Sequence, residues 1–572
     1  MSKALEEEIE LNQEAVKPED KVPFWQKVSY GMGVVSDHYA NVMIAYIFFL
    51  PFFNDMLKVP ATIVTGALAL ARVWDAFTDP LVGAISDKWK SKFGRRKPFI
   101  ITGAVLTGLL FPIIWLASPD WGQNTIVVYL VLSLLLFYTF YSIFSVPYES
   151  LGTELTANYK ERTNIFVVRS YVNQIFNLGI SWAFPLAAWF ALQPWVGGDV
   201  NGVRVVSVLT AAVIIGAGVL PGIFCQERYR KIALKEQEQQ EKTSFKEAVT
   251  TLLKNSQLML VIGIICTYLL AIMSIGVLGY YVTVYYIFDG DRLAGTILGG
   301  LGGTLRVVCS LIAAYVIKRM ADRFDKHHLM IACVVAMLVA SVGLYFTIVP
   351  GRPLLYLITQ PLLAVGEVGF WILIISMRAD VCDYDEYKNG KRREGVISAV
   401  TNWFTKSTMT MAALLSGVVL QFVVGFDNEL KDETVKVQIE QRAQVQFDAM
   451  SEAERAAKDA EHNVFMRMVH AIPADETERG MEQRLTDAVF NDGDVPETTV
   501  TLLTNRMEQE VIMEQQDPGM LERMRLWYVM PKALALVIAL ILIHFYKLSH
   551  HRMVEIRAEL EERRGRAVAS EA

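Results

Sequence analysis

Long apolar blocks separated by short polar or basic stretches run along most of this chain. Phe99 to Leu116, Ile126 to Val146, Val205 to Phe224 and Leu329 to Val349 are plain cases. Each is close to the ~20 residues that a helix needs to cross a bilayer. The pattern predicts about twelve such helices, centred near Ala45, Leu70, Leu109, Leu135, Ile180, Ile214, Leu270, Ile312, Ala336, Leu363, Ala413 and Ala539. Gly, Trp and Tyr are frequent within and at the ends of these blocks, as in membrane helices.

The loops alternate in charge. Lys88-Trp-Lys-Ser-Lys-Phe-Gly-Arg-Arg-Lys97, Arg228-Tyr-Arg-Lys231, Lys318-Arg319 and Lys391-Arg-Arg393 are basic, as is the C-terminal tail with Arg552, Arg557, Arg563 and Arg564. The intervening loops, such as Ser118-Pro-Asp-Trp and Asp289-Gly-Asp, hold few Lys or Arg. Basic loops stay in the cytoplasm, so both termini are expected there, in agreement with an even number of spans, which puts both termini on one side. Loops repeat as well. Phe93-Gly-Arg-Arg-Lys is echoed by Phe324-Asp-Lys-His-His, and Lys160-Glu-Arg162 by Lys391-Arg-Arg393, with one common offset of 231 residues. Two echoes with one offset predict two six-helix halves around a central cavity, a transporter architecture.

The expected organisation is a cytoplasmic tail over 1–24, an N-terminal bundle over 25–225, a cytoplasmic linker over 226–255, helices 7–11 over 256–425, a polar insert over 426–524, helix 12 over 525–547 and a cytoplasmic tail over 548–572. The first residues are acidic, with Glu6, Glu7, Glu8 and Glu10, and lack the apolar core of a signal peptide. The insert carries helix punctuation, such as the capping-box pattern Ser451-x-x-Glu454 and the turn Asn491-Asp-Gly-Asp. It reads as a small helical external domain or a solvated spacer.

Composition changes the picture little. At 53% hydrophobic residues and a mean hydropathy of +0.32, the chain is too apolar for an ordinary soluble protein of its length. The net charge of −6 matters less than where the charges lie. The five cysteines sit in or beside apolar blocks without paired spacing, so they read as small core residues.

The informative residues are polar ones inside the apolar blocks. Asp75 and Asp79, in Trp74-Asp-Ala-Phe-Thr-Asp-Pro80, are four residues apart and share a helix face. A membrane carboxylate costs at least ~2.5 kcal/mol to insert and generally faces a cavity. Two on one face repel unless a cation or a shared proton intervenes. Oxygen ligands suit Na⁺ or H⁺. The competing reading pairs the carboxylates with a basic group such as Lys406 of the eleventh block, and the two readings combine if Lys406 fills the site when no cation does. Asp37, Asn41, Arg169, Asn173, Gln174, Arg306, Glu367 and Asn402 are further polar residues in apolar blocks. Tyr138, Tyr141, Trp371 and Trp403 add aromatic faces, which with convergent polar groups suit a sugar-like solute, although each alone is more simply a packing residue. HExxH, GxSxG and a paired catalytic His are absent, which argues against an enzyme.

Arg72-Val-Trp-Asp-Ala-Phe-Thr-Asp-Pro-Leu-Val-Gly83, Gly94-Arg-Arg-Lys-Pro98, Val146-Pro-Tyr-Glu-Ser-Leu-Gly152, Glu161-Arg-Thr163 and Ala379-Asp-Val-Cys-Asp-Tyr-Asp-Glu-Tyr387 occur in this order. Together they resemble the glycoside–pentoside–hexuronide:cation symporters (melibiose permease-like) of the major facilitator superfamily, over roughly residues 25–425 and 526–560. The resemblance implies an all-α membrane protein of twelve helices in two pseudo-symmetric bundles. It assigns the cation site to Asp75 and Asp79 with Ser142 and Thr78. It places family solute-site positions on Ser145, Glu149, Arg169, Trp371 and Lys406, and roughly on Asp37; Asn41, Tyr141 and Asn402 join them as candidate solute contacts from the polar and aromatic residues above. The chain departs from the pattern at Thr78, an asparagine in the family, and at Ser145 and Glu149, an aspartate and a tryptophan there. Melibiose itself is therefore not expected.

The expected activity is Na⁺- or H⁺-coupled symport of a glycoside, pentose or sugar acid by alternating access, with no cofactor, no nucleic acid partner and no metal beyond Na⁺. The expected setting is the cell membrane. The alternative, within the same superfamily branch, is a lysolipid or amphiphile carrier. Arg95, Arg96, Asp87, Glu154, Asp383 and Arg393 are candidate gating charges at the cytoplasmic face. As exposed pairs worth ~0–1 kcal/mol each, they would bias a conformation only as a network.

Overall fold

The structure is a computed structural model. It describes residues 21–426, 519–548 and 552–560, apart from 90, 92, 157–158, 194, 227–254, 277, 322–323 and 391–393. The expected insert and interbundle linker, and the gating candidate Arg393, therefore lie largely or wholly outside the described residues, as does the side chain of Asp87.

The described chain is helical throughout. α1 is Phe24–Val42, extended by π-helical turns Met43–Phe48 and Pro51–Met56. α2 is Ala61–Lys88, α3 Lys97–Ile114, α4 Gln123–Glu154, α5 Tyr159–Ala191 and α6 Asp199–Phe224. α7 is Ser256–Gly276, continued by Leu278–Tyr281 and the π-helical Val282–Ile287. α8 is Arg292–Ala321, α9 Lys326–Thr347, α10 Gln360–Asn389, α11 Glu394–Val418 with a π-helical end Val419–Val424, and α12 Met520–His544. Among the described residues, nine of these rods are long and apolar enough to cross a membrane. The rods outside that set are α1, α2 and α5, which carry Asp37 and Asn41, Asp75 and Asp79, and Arg169. Their polar residues lower the hydropathy because they face protein, not lipid.

The rods form two bundles with one packing plan. α1 packs on α5 and α6, α3 on α4 and α6, and α2 on α4. In the second half α7 packs on α11 and α12, α9 on α10 and α12, and α8 on α10. Each of these contacts in one half is matched six helices later in the other. The 231-residue offset also recurs in the backbone: π-helical Pro51–Met56 matches Val282–Ile287, and the α2 start at Ala61 matches the α8 start at Arg292. Across the halves, α5 packs on α8 and α2 on α11, again a symmetric pair.

Both seams are fastened at the end of the bundle away from the basic loops. There Thr62 donates to Gln421 (Oγ1 to Oε1, 2.6 Å), and Trp182 Nε1 donates to Thr304 Oγ1 at 2.8 Å. Beneath them, Phe48, Phe52, Phe53 and Phe111 ring Trp115 in the apolar core of the first half.

Candidate functional site

Midway along α2, the helix places Asp75 and Asp79 one turn apart, and Lys406 of α11 reaches both. Its Nζ lies 3.0 Å from Asp75 Oδ2 and also bonds Asp79 Oδ2. Asp75 is 1% exposed, and its other oxygen accepts from Ser142 Oγ of α4 at 3.0 Å. Thr78 Oγ1 and Ser142 Oγ share a hydrogen bond of 2.9 Å. Among the described residues, buried Asp79 Oδ1 has no hydrogen-bond partner. Pro80 has no N–H, so the carbonyl of Ala76 loses its helical donor within the same turn. The two carboxylates thus hold the ammonium of Lys406, with the hydroxyls of Ser142 and Thr78 and the freed carbonyl nearby. Such an all-oxygen set suits a hard cation or a proton.

One turn from this cluster the polar network continues into α1. Tyr141 Oη donates to Asp37 Oδ1 at 2.7 Å, and Arg72 bonds Asn41 while its guanidinium stands 5.0 Å over the Tyr138 ring. Toward the basic end, Arg169 of α5 pairs with Glu149 of α4 and lies over the rings of Tyr30, Tyr148 and Phe166. Ser145 is half-buried between Ser142 and Glu149 along the same stretch of α4. Trp371 and Asn402 belong to the opposite wall. Trp371 meets Tyr268 and Phe370 edge-on, and Asn402 is exposed one turn before Lys406. Among the described residues, no hydrogen bond or ring contact joins Trp371 or Asn402 to the first half. The structure therefore brings the α1, α2, α4 and α5 candidates together with Lys406, and leaves Trp371 and Asn402 across from them.

Of the gating candidates, Arg95, Arg96 and Glu154 are paired, but not as exposed charges. Arg95 Nη2 and Arg96 Nη2 lie 2.6 and 3.0 Å from Glu154 Oε1, and all three side chains are buried. Gly94, at φ 111°, makes the turn that aims them, a conformation a Cβ would oppose. In the second half Lys326, 231 residues after Arg95, pairs with Asp380 at 2.7 Å, and Arg557 pairs with both Asp380 and Asp383. These basic-end ion pairs each stay within one half. Beside them Asp325, His327 and His328 hold ligand atoms within 4.8 Å of one another, a local grouping on the α9 start.

Sequence reasoning missed a second charge cluster that joins the halves. Asp55 is fully buried in the second π-helical segment of α1. It accepts from Arg292 Nε at 3.0 Å and Nη2 at 3.1 Å, from Tyr280 at 2.6 Å and from Tyr285. Arg292 also bonds Asp199, and Tyr281 donates to Asn54 at 2.7 Å. The tyrosine-dense run Gly279-Tyr-Tyr-Val-Thr-Val-Tyr-Tyr286 was the available signal.

With this geometry in view, comparison with known proteins is decisive for the family. The family model described as "MFS/sugar transport protein" matches residues 29–446, most of the chain. The chain belongs to this family. Its curated relatives include an uncharacterized symporter of Synechocystis, 26% identical over 73% of this chain and 89% of the relative. The isoprimeverose transporter of Lactiplantibacillus pentosus is 25% identical over 70% of this chain and 80% of its own. A glucuronide carrier protein homolog of Escherichia coli is 23% identical over 71% and 84%. Among solved structures, a bacterial homologue of the human lysosomal transporter Spinster in an inward-facing, unoccupied conformation superposes with a TM-score of 0.52 at 12% identity, covering 96% of this chain and 99% of that one. That likeness speaks for the fold alone. The family, the twin bundles and the apolar rods make this a multi-pass membrane transporter of the major facilitator superfamily.

Proposed function

We propose that the protein is a secondary active transporter that couples a cation, Na⁺ or H⁺, to the symport of a sugar-like solute across the cell membrane. The observation that carries this reading is the cationic centre between Asp75 and Asp79, already filled by the Lys406 ammonium. An incoming cation competes for the same carboxylates. When it enters, Lys406 is released toward the cavity that Asp37, Asn41, Arg169, Trp371 and Asn402 border. The cation and solute sites are thereby linked through one side chain. Such a linkage is reciprocal: whatever the cation adds to solute affinity, the solute returns to cation affinity.

Alternating access follows from the two seams. With the basic loops in the cytoplasm, the Asp55–Arg292 cluster closes the outer end, and the basic-end ion pairs named above each lie within one half. We read this as an inward-facing arrangement. Buried Arg95 and Arg96 on Glu154 stiffen the ends of α3 and α4 so that each bundle turns as a body.

A single charge moved through ~100 mV supplies ~2.3 kcal/mol. At ~1.4 kcal/mol per tenfold, this would sustain roughly a fortyfold gradient of a neutral solute, whereas one cation carried with an anionic solute moves no net charge and draws on the cation gradient alone. The test is uptake of radiolabelled glycosides, pentosides and sugar acids into proteoliposomes with imposed Na⁺ or H⁺ gradients. Asp75→Asn and Asp79→Asn should lose gradient-driven accumulation and keep downhill exchange. Accumulation that persists with its cation dependence intact in either variant refutes coupling at this site.

A further inference from the structure

The cavity wall contributed by the second half holds a charge group that the cation site does not use. Arg306 of α8 meets only a loose partner among the described carboxylates, Glu367 Oε2 at 3.7 Å. Its side chain keeps 40% of its surface accessible although Tyr268, Tyr356, Tyr528 and Glu367 surround it, as for a residue that lines an internal opening. Its Nε is buried and has no hydrogen-bond partner. Lys532 of α12 is 8% exposed and lies in the field of Arg306 and Glu367. Among the described residues it has no carboxylate partner; its ammonium rests 4.8 Å from the centre of the Tyr528 ring. Tyr268 Oη, fully buried beside Trp371, donates to no acceptor among the described residues.

Two cations and one anion leave this wall with one uncompensated positive charge. Across from it, Asp75, Asp79 and Lys406 carry one uncompensated negative charge. The Arg169–Glu149 pair is balanced within itself. A buried, unpaired ammonium is costly, and a protein keeps one where a ligand completes it. Arginine presents a planar fork of donors that fits an oxyanion in two places, and lysine adds a point charge. The phenol of Tyr268 supplies a third donor, and the Trp371 ring beside it offers an apolar face.

We infer that Arg306, Lys532 and Tyr268 form an oxyanion subsite, and that the transported solute is a sugar bearing a carboxylate or sulfate group. This rests on the transport reading above and names the substrate class of that site. The charge asymmetry places the coupled cation on the α2 side and the solute's anion on the α8–α12 side. When Na⁺ or H⁺ fills the aspartate site, the cavity holds one excess positive charge. An anionic solute neutralises it, and the loaded protein can reorient.

Two measurements test this. In the first, equilibrium binding to purified protein in Na⁺ buffer compares matched pairs: methyl β-glucuronide with methyl β-glucoside, galacturonate with galactose, and glucose 6-sulfate with glucose. The acidic member of at least one pair should bind at least about tenfold more tightly. Lys532→Met and Arg306→Gln should each erase that preference, and Lys532→Arg should retain it. In the second, thermal unfolding without solute compares the same variants. Lys532→Met should raise the melting temperature, because it removes an unpaired buried charge, and solute that stabilises the wild type should no longer do so. A lower melting temperature for Lys532→Met makes Lys532 a structural residue and overturns the subsite. Neutral sugars bound and transported as well as acidic ones, unaffected by Lys532→Met, overturn the subsite and leave the transport reading standing. If no sugar of either kind is bound or carried, the transport reading falls and the substrate class falls with it. A raised melting temperature then still marks Lys532 as an uncompensated charge.

Discussion

Replacing Asp55 with asparagine should release the closed end of the bundle. The carboxylate accepts two hydrogen bonds from Arg292 and one each from Tyr280 and Tyr285, all from the second half. Asparagine keeps the shape, loses the charge and turns an N–H₂ group toward donors. Removing one member of a buried ion pair generally costs about 3–5 kcal/mol. Arg292 keeps Asp199, so we take the lower end, about 3 kcal/mol. The cost falls almost wholly on the closed state, because the partners separate when that end opens. At ~1.4 kcal/mol per tenfold, the equilibrium shifts about a hundredfold, enough to bring a state populated near 1% to about half. Spin labels at Phe93→Cys and Phe324→Cys, on equivalent exposed loop positions of the two halves, report this shift in a background lacking the five native cysteines. Double electron–electron resonance should give one long distance in the parent and add a shorter one in Asp55→Asn as the basic end closes. An unchanged distance distribution in a folded, monodisperse variant refutes the lock.

Further outcomes follow from the same geometry. Lys406→Ala removes the competitor from the aspartates, so cation affinity measured by isothermal titration should rise about tenfold while solute coupling is lost; weaker cation binding would make Lys406 an auxiliary ligand-positioning residue instead. Arg95→Gln with Arg96→Gln removes both arginine partners of the buried Glu154 carboxylate and should cost about 3–5 kcal/mol, read as a lower melting temperature and slower transport with unchanged cation affinity. Gly94→Ala forces a Cβ into a left-handed turn and should lower stability by about 1–2 kcal/mol, whereas Gly122→Ala, with open space and an extended backbone, should be close to neutral by the same melting assay.

The legibility of this fold in its sequence was uneven, and the reasons are physical. Apolar blocks near bilayer length require helices, and each expected centre falls inside a rod. The 231-residue echo in two loops reappears in π-turns and helix starts, because one repeat unit dictates both. Asp75 and Asp79 were readable since their spacing fixes a shared face. Their junction with Lys406 was readable only as one of two alternatives, because an ion pair across 327 residues leaves no local signature. Asp55 escaped for the same reason: its partners lie 225 to 237 residues away, and alone it resembles a polar loop end. Arg95 and Arg96 were legible as charges and not as buried ones, since burial depends on how α4 returns past the loop. Lys532 is a single basic residue just before the apolar run Ala533 to Ile543, which in isolation reads as an interfacial anchor, yet it sits midway along α12.

The two ends of the polar insert meet at a clasp. Arg523 donates to the carbonyl of Val424 from Nε at 3.1 Å and Nη2 at 3.0 Å, and Phe426 packs against Tyr281 and Tyr285. Chain that leaves the bundle at 426 therefore re-enters within a side chain's reach of its exit. The entropy of closing such an excursion grows only logarithmically, about 0.6 kcal/mol for each doubling of length. The scaffold is nearly indifferent to how much polypeptide hangs from this point. Residues 428–517 should thus be exchangeable for a short Gly-Ser bridge or an unrelated folded domain while the twin bundles still assemble, making this junction a natural socket for fusions and affinity handles.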